Sequence, residues 1–461
     1  MPPKPKPRAP RRAALRYLDL FSGCGGFSLG LKRAGLECIA AVDFDPQAIS
    51  TFKANFPKVK HVLERDLTRF TPEELGKLIG PGKVDVIVGG PPCQGFSKAR
   101  MVGGSNHGSR LIEDPRRSLF KNYLHYVEFF RPAMFVMENV PGIRSAAGGD
   151  FFVAIQNEAR KLGYRVHAAP IRAWDYGVPQ KRERQLIIGT SCDLPTFSTA
   201  LYVRPTHGEP EPNATHRRSI QGRGGRGRPR ELSDLVTLWE AIGDLPALQA
   251  GGGQMESDYD LKRREKHLLN DGSDYLDEVA QVHRAKKLTW HVARPHSERD
   301  LRDFERLKEG ETSLQAIARG EQMEFPYDRE NFKDRYTRQR RNGLCSTIVA
   351  HLSKDGLMFV HPTQRRSLTV REAARIQSFP DWFAFPKAQT AAFRVIGNAV
   401  PPRLGEAIGS GIKKYLGASV TARALSPMPD TPQQAAEWLS VVVNTAQTTR
   451  QLRVLPLEDL K

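Results

Sequence analysis

The chain has 461 residues and carries 70 Lys and Arg against 51 Asp and Glu, a formal net charge of +19. That length allows two lobes with sizeable cores, and the charge points to a polyanionic partner, with nucleic acid first among them. Five irregularly spaced cysteines (Cys24, Cys38, Cys93, Cys192, Cys345) exclude a disulfide framework and a zinc pattern. No apolar run approaches the roughly 18 residues of a membrane-spanning helix, and the basic start lacks a signal peptide's apolar core, so a cytoplasmic protein is expected.

Residues 1–14, rich in Pro, Lys and Arg, are expected to form a disordered basic arm. From 15 to 192 strand-like and helix-like segments alternate, with strands expected at Arg16–Phe21, Cys38–Val42, Val84–Val88, Met134–Met137 and Gln185–Gly189. This is a doubly wound α/β pattern. The first strand runs into the glycine turn Gly23-Cys24-Gly25-Gly26, then a helix ending near Gly35. The next strand closes at Asp43, an acidic residue placed for a ribose hydroxyl. The glycine spacing is not G-x-G-x-x-G. A nucleoside without phosphates, such as S-adenosylmethionine, therefore fits better than a dinucleotide, and a mere tight turn is the plain alternative.

The run Val84–Gly90 reads as a buried parallel strand. It delivers Pro91-Pro92-Cys93-Gln94 just past its carboxyl end, where α/β sheets place ligands. A free cysteine is ordinarily a small buried hydrophobe. Here the rigid Pro-Pro before it and Gly95-Phe96-Ser97 after it favour a presented thiol. Ser97 to Pro115, with Gly103, Gly104 and Gly108, reads as a mobile lid. Glu138-Asn139 closes a strand parallel to the one that delivers Cys93. The pair is either a helix cap or a carboxyl over the same pocket, and Cys93 favours the second. Arg182 and Arg184 stand two apart before a strand, so on extended backbone they would face one side.

Beyond 192 the regularity breaks. Residues 204–230 read as a flexible basic loop containing Arg217, Arg218 and Arg223, and residues 231–340 are charged and weakly periodic. Order returns at Ser346. Thr369 with Glu372 forms a capping box that opens a helix Val370–Phe379, stopped by Pro380.

Six blocks occur in a fixed order. They are Asp19-Leu20-Phe21-Ser22-Gly23-Cys24-Gly25-Gly26, Pro91-Pro92-Cys93-Gln94-Gly95-Phe96-Ser97, Glu138-Asn139-Val140, Gln180-Lys181-Arg182-Glu183-Arg184, Leu368 to Gln377, and Gly397-Asn398-Ala399-Val400-Pro401-Pro402. Through them the chain resembles the DNA (cytosine-5)-methyltransferases of the bacterial restriction-modification type. The resemblance implies an α/β fold, with a doubly wound S-adenosylmethionine-dependent methyltransferase sheet and a second, smaller, irregular target recognition domain. It divides the chain into the arm 1–14, a catalytic and cofactor-binding domain 15–192, a recognition domain 193–390 that includes the basic linker and the Thr369 helix, a return segment 391–417 and a tail 418–461.

On the same ground Cys93 is the nucleophile that adds to cytosine C6, Glu138 the acid at N3, and Arg182 and Arg184 complete the catalytic set. Phe21, Gly23, Gly25, Gly26, Asp43, Asp66, Pro92, Asn398 and Val400 would hold S-adenosylmethionine. Gln94, Ser97, Asn139 and Gln180 would hold substrate, with no metal. Two positions depart from the pattern: Asp43 stands where most relatives carry Glu, and Arg65 replaces a frequent Gly. The implied partner is double-stranded DNA, bound by a monomer in the cytoplasm, associated with the nucleoid through DNA. A cognate restriction endonuclease would act on the same sequence without direct contact. Two alternatives stay open, a tRNA cytosine-5 methyltransferase and a catalytically silent DNA-binding relative. The long interval between Arg184 and Thr369 favours duplex DNA, and the presence of Cys93 and Glu138 argues against silence.

Overall fold

A computed structural model describes residues 14–92, 119–208, 233–271, 274–325 and 336–425. Cys93, Gln94, Ser97 and the expected lid, the basic arm to residue 13, the loop containing Arg217 to Arg230, and the tail beyond 425 lie outside the described residues.

The strands of the first lobe are β1 (Arg16–Leu20), β2 (Glu37–Asp43), β3 (His61–Glu64), β4 (Val86–Gly89), β5 (Met134–Asn139), β6 (Tyr164–Arg172) and β7 (Glu183–Ser191). They form one sheet in the order β3-β2-β1-β4-β5-β7-β6. β1 to β5 run parallel, while β7 is antiparallel to both β5 and β6. The helices α1 (Gly26–Arg33), α2 (Pro46–Asn55), α3 (Pro72–Ile79), α4 (Leu119–Phe130) and α5 (Asp150–Lys161) connect them. The chain winds outward from β1 to β3 and then returns to lay β4 beside β1. That reversal opens a crevice between the carboxyl ends of β1 and β4.

All residues of β4 and β5 are buried, as strands covered on both faces must be. Leu31, Val88, Val136 and Ile188 pack on one side, and Leu20, Ile87, Tyr123 and Phe135 on the other. Each such side chain taken from water contributes about 1.5–3 kcal/mol before chain entropy is charged against it. Tyr123 also donates its hydroxyl proton to the Ile87 carbonyl at 3.0 Å, fixing α4 to the strand that leads toward Cys93.

The fold class read from the sequence is the one observed. β6 was not legible, because Pro170 interrupts it. It is an edge strand, paired on one side by β7, where proline is tolerated.

The second part of the chain contains α6 (Thr199–Tyr202), the short parallel pair β8 (His207–Gly208) and β9 (Ser233–Asp234), and α7 (Leu238–Ile242). The antiparallel pair β10 (Gly253–Ser257) and β11 (Leu288–Val292) flanks α8 (Leu261–Asp271). Next come α9 (Glu298–Arg306) and α10 (Ser313–Ala318), around a small core of Phe304, Leu307, Phe325, Tyr336 and Val360. The chain then forms α11 (Val370–Ile376), α12 (Gln389–Asn398) and α13 (Pro402–Leu425). Through α13 it returns to pack on α1.

The expected capping box of Thr369 and Glu372 opens α11. The helix stops at Ile376, short of the expected Phe379, because Ser378 takes a left-handed φ of 65°. All seven residues of α11 are buried, and its charges are paired. Arg366 forks onto Glu372 at 2.9 and 2.7 Å. Arg371 donates to the carbonyl and hydroxyl of Thr289 at 2.9 and 2.7 Å. Arg375 forks onto Asp381 at 2.8 and 2.6 Å and also pairs with Asp244. α11 thus joins β11 and α7 to the rest of the molecule.

Three histidines surround its start. His291 meets Thr369 Oγ1 at 3.2 Å and the Pro246 carbonyl at 2.8 Å; His296 meets Ser367 Oγ at 2.9 Å; His361 lies 3.6 Å from Glu372. Burial lowers the pKa of His291, pulls His296 down to about 4, and pulls His361 down to about 3 against the opposing pull of Glu372. These rings stay neutral when folded, whereas in the unfolded chain they take up protons below about pH 6.5. Below that pH the unfolded state therefore binds more protons and stability falls, by about 1.4 kcal/mol per pH unit for each ring until its folded pKa is reached. The urea midpoint is expected to drop between about pH 7 and about pH 5, less steeply in His361→Gln. Equal slopes in the two proteins would show that His361 does not contribute.

Candidate active site

The crevice begins where β1 ends. Phe21 takes a left-handed φ of 57°, and Gly23 and Gly25 follow at 54° and 91°, so the chain turns sharply before α1. Asp43, at the end of β2, clamps this turn. Its two carboxylate oxygens accept the Gly23 amide at 2.8 Å and the Asp45 amide at 2.9 Å. Burial raises the pKa of this carboxyl, while the amides of Asp45 and Gly23 oppose that rise. Beneath the turn, buried Asp19 accepts the Ser28 hydroxyl, and burial pushes its carboxyl to about 7.

The far end of the chain completes the crevice. A Cβ on Gly26 would stand 2.3 Å from the Val400 carbonyl, so only glycine admits this approach. Asn398 is exposed at the end of α12. Asp66, also exposed, follows β3, and its Oδ1 accepts the Thr68 amide and hydroxyl at 2.9 and 2.8 Å. Pro92 is half-buried beyond β4.

The sequence reading missed Phe44, which stands next to Asp43 with 64% of its surface exposed. An aromatic held open at a strand's carboxyl end offers a flat stacking face. A lone Phe between Asp43 and Asp45 is the signal that could have marked it.

The second set of residues lies one strand away. In the parallel register Gly89 stands opposite Met137, so Glu138 projects beside Gly90, where an added Cβ would stand 3.3 Å from Glu138 Oε2. Asn139 donates to the Pro91 carbonyl at 3.2 Å and accepts the Val140 amide at 2.9 Å. Its amide thereby stitches the ends of β4 and β5 together. Arg184 brings Nε within 2.7 Å of Glu138 Oε1. The N–H is not aligned for a hydrogen bond, so the contact is an ion pair and Oε1 keeps its acceptor capacity.

Arg182 and Gln180 differ from expectation. Arg182 is fully buried and donates to the carbonyls of Ile348 at 2.9 Å, Gly397 at 3.3 Å and Ala399 at 2.8 Å. Burial draws its pKa well below the usual arginine value, and Arg184 adds to that effect. Gln180 accepts the Ile348 amide at 2.9 Å and donates to the Ile376 carbonyl at 3.0 Å and to Gln377. The rule that residues two apart share a face fails here because β7 begins only at Glu183. Before it the chain folds back, with the Arg182 amide donating to the Gln180 carbonyl at 2.8 Å. Arg184 thus faces Glu138, while Arg182 and Gln180 bind main chain from the far end of the sequence.

Beside Arg184 a cleft of about 520 Å³ opens, lined by Pro141, Trp174, Lys181, Glu183, Arg184, Leu344 and Thr347.

The family model of the C-5 cytosine-specific DNA methylase matches residues 15–414. The chain is similar to the Type II methyltransferase M.DdeI of Desulfomicrobium norvegicum, 34% identical over 418 residues, covering 87% of this chain and 89% of that protein. It is also similar to the Type II methyltransferase M.AgeI of Thalassovita gelatinovora, 32% identical over 451 residues, covering 87% and 99%. A solved structure of a putative DNA modification methyltransferase from an E. coli prophage superposes with a TM-score of 0.65 at 26% identity, covering 88% of this chain and 100% of that one. The chain belongs to the C-5 cytosine-specific DNA methylase family.

Proposed function

We propose that the protein transfers a methyl group from S-adenosylmethionine to C5 of a cytosine flipped out of duplex DNA, with Cys93 as nucleophile. The observation that carries this reading is the stitched pair of strand ends. Asn139 ties β5 to Pro91, so Glu138, paired with Arg184, stands beside the segment that leads into Cys93.

The crevice fits the cofactor. Among the described residues nothing lies within 4 Å of a Cβ built on Gly23, and the buried Ser22 hydroxyl has no partner. Phe44 would take the adenine face, Asp43 the ribose and Asp66 the adenine amino group. Phe21, Gly23, Gly25, Gly26, Pro92, Asn398 and Val400 would form the walls. When bound, S-adenosylmethionine supplies an electrophilic methyl group.

Cytosine C5 is a weak nucleophile. The Cys93 thiolate adds to C6 while Glu138 donates to N3, which places electron density on C5. After C5 takes the methyl group, N3 returns its proton to Glu138, C5 gives its proton to water, and the C6–S bond breaks to free Cys93 as thiolate. Arg184 orients Glu138 and serves the cytosine O2, while Gln94 and Ser97 hold the base. Arg182, Gln180 and Asn139 act as positioning residues. The target must leave the duplex for this chemistry.

Residues 193–390 are assigned as the target recognition domain, with the arm, the 15–192 domain and the 391–417 return as given above, except that α13 carries the return on to Leu425 before the tail. The Type II names of the relatives support a modification role, with a restriction endonuclease acting on the same DNA without contact. The monomeric state and the cytoplasmic, nucleoid-associated location belong to the same reading; among the described residues no helix is long and apolar enough to cross a membrane. The test is incubation with tritiated cofactor and either duplex DNA or tRNA, followed by bisulfite sequencing of the DNA. Label in DNA at one recurring sequence is expected. Label in tRNA alone would overturn the proposal.

A further inference from the structure

We infer that Trp174 is a DNA-stacking residue, holding a base that flanks the target cytosine. The inference rests on the reading of Glu138 and Arg184 given above. The cleft beside Arg184 is lined by Pro141, Trp174, Lys181, Leu344 and Thr347, with the carboxylate of Glu183 also on its wall. Arg184 lines the cleft and pairs with Glu138 at 2.7 Å, so the cleft adjoins the place proposed for the target cytosine, while Glu138 itself is not on its wall. A cytosine seated over Glu138 therefore leaves the cleft to its neighbour in the strand.

The chemistry of the walls suits that occupant. Trp174 is only partly buried, and Arg172 lies over its ring, 5.5 Å from the centroid. Arg172 is itself fixed, with Nε donating to Asp175 at 3.0 Å. In the β6–β7 register Arg172 stands opposite Glu183, an opposite-charge pair that tempers the carboxylate on the wall. The guanidinium thus lies against one face of the ring. Lys181 is exposed, and its backbone is anchored by the Cys345 carbonyl at 2.8 Å and by the Thr347 hydroxyl. It offers a cation to a phosphate beside the stacked base. When a cytosine leaves a duplex, the adjoining base loses a stacking partner, and an aromatic face restores part of that contact.

The experiment uses the full chain and a duplex carrying the sequence it methylates. Trp174→Ala is expected to raise Kd and KM for that duplex by about tenfold, the scale of one base–aromatic stack. KM for S-adenosylmethionine and the melting temperature should stay at wild-type values, and Trp174→Phe should recover most of the loss. Duplexes made abasic at one position at a time should then reveal a position beside the target. Removing the base there should weaken wild-type binding and leave Trp174→Ala indifferent. If the wild type methylates DNA and Trp174→Ala binds and methylates as well as it does, the stacking role is wrong while the active-site reading stands. If the wild type methylates no DNA, the reading itself fails. If no abasic position distinguishes the two proteins, Trp174 contacts no base.

Discussion

Replacing Cys93 by serine is expected to remove methyl transfer, with a loss above about a thousandfold in turnover, while S-adenosylmethionine binding stays within a few fold. A hydroxyl in this position is almost entirely protonated at neutral pH and is a far weaker nucleophile than a thiolate. The crevice proposed for the cofactor lies between the ends of β1 and β4, with Asp43, Asp66 and Val400 around it, and none of these contacts uses the sulfur. DNA containing 5-fluorocytosine at the target should trap the wild type as a covalent adduct, because fluorine blocks the loss of the C5 proton that precedes release. Cys93→Ser should give none. Turnover of the purified variant near the wild-type rate, or a stable adduct from it, would refute the nucleophile assignment.

The second large effect is on stability. Arg375→Ala is expected to cost about 3–5 kcal/mol, the range for removing one partner of a buried ionic cluster. Asp244 would be left buried without its guanidinium, and Asp381 would keep only Arg371, at 3.6 Å, and the Tyr259 hydroxyl. Coulomb attraction from Asp244 and Asp381 outweighs the cost of burying Arg375 and holds its pKa well above the ordinary arginine value. An exposed pair provides the contrast. Arg302→Ala, which loses a 2.7 Å contact to solvent-screened Glu324, should lower stability far less than Arg375→Ala. Urea unfolding of the two variants side by side decides the matter. Similar small losses in both would mean that the buried cluster is replaceable and that α11 docks by its apolar side chains alone.

The parts of the molecule that the sequence disclosed are those governed by local rules. β4 and the first four residues of β5 are continuous apolar runs, as strands buried on both faces are. The capping box at Thr369 and Glu372 is complete within four residues. The turn after β1 announces itself through Gly23, Gly25 and Gly26. The roles that escaped depend on distant partners. Arg182 and Gln180 look like substrate ligands in a charged block, yet their partners are main-chain groups of residues 348, 376, 397 and 399 and the Gln377 side chain. Nothing local records a carbonyl that will arrive from two hundred residues away. The direction of β7 escaped for a similar reason, since a single strand carries no mark of its neighbour's orientation. The lobe containing α9 and α10 has short helices and arginines paired with Glu, a pattern that reads as plain surface.

The junction of Gly26 with Val400, together with the packing of α1 against α13, has a consequence for synthesis in the cell. Residues from the first and last quarters of the described chain share one wall of the crevice. At translation rates of about 5–20 residues per second, tens of seconds separate the appearance of the glycine turn from that of the segment that closes it. Throughout that interval the nascent chain has an open crevice and a half-covered sheet. A product released early, before α12 has emerged, would be inert toward the host chromosome.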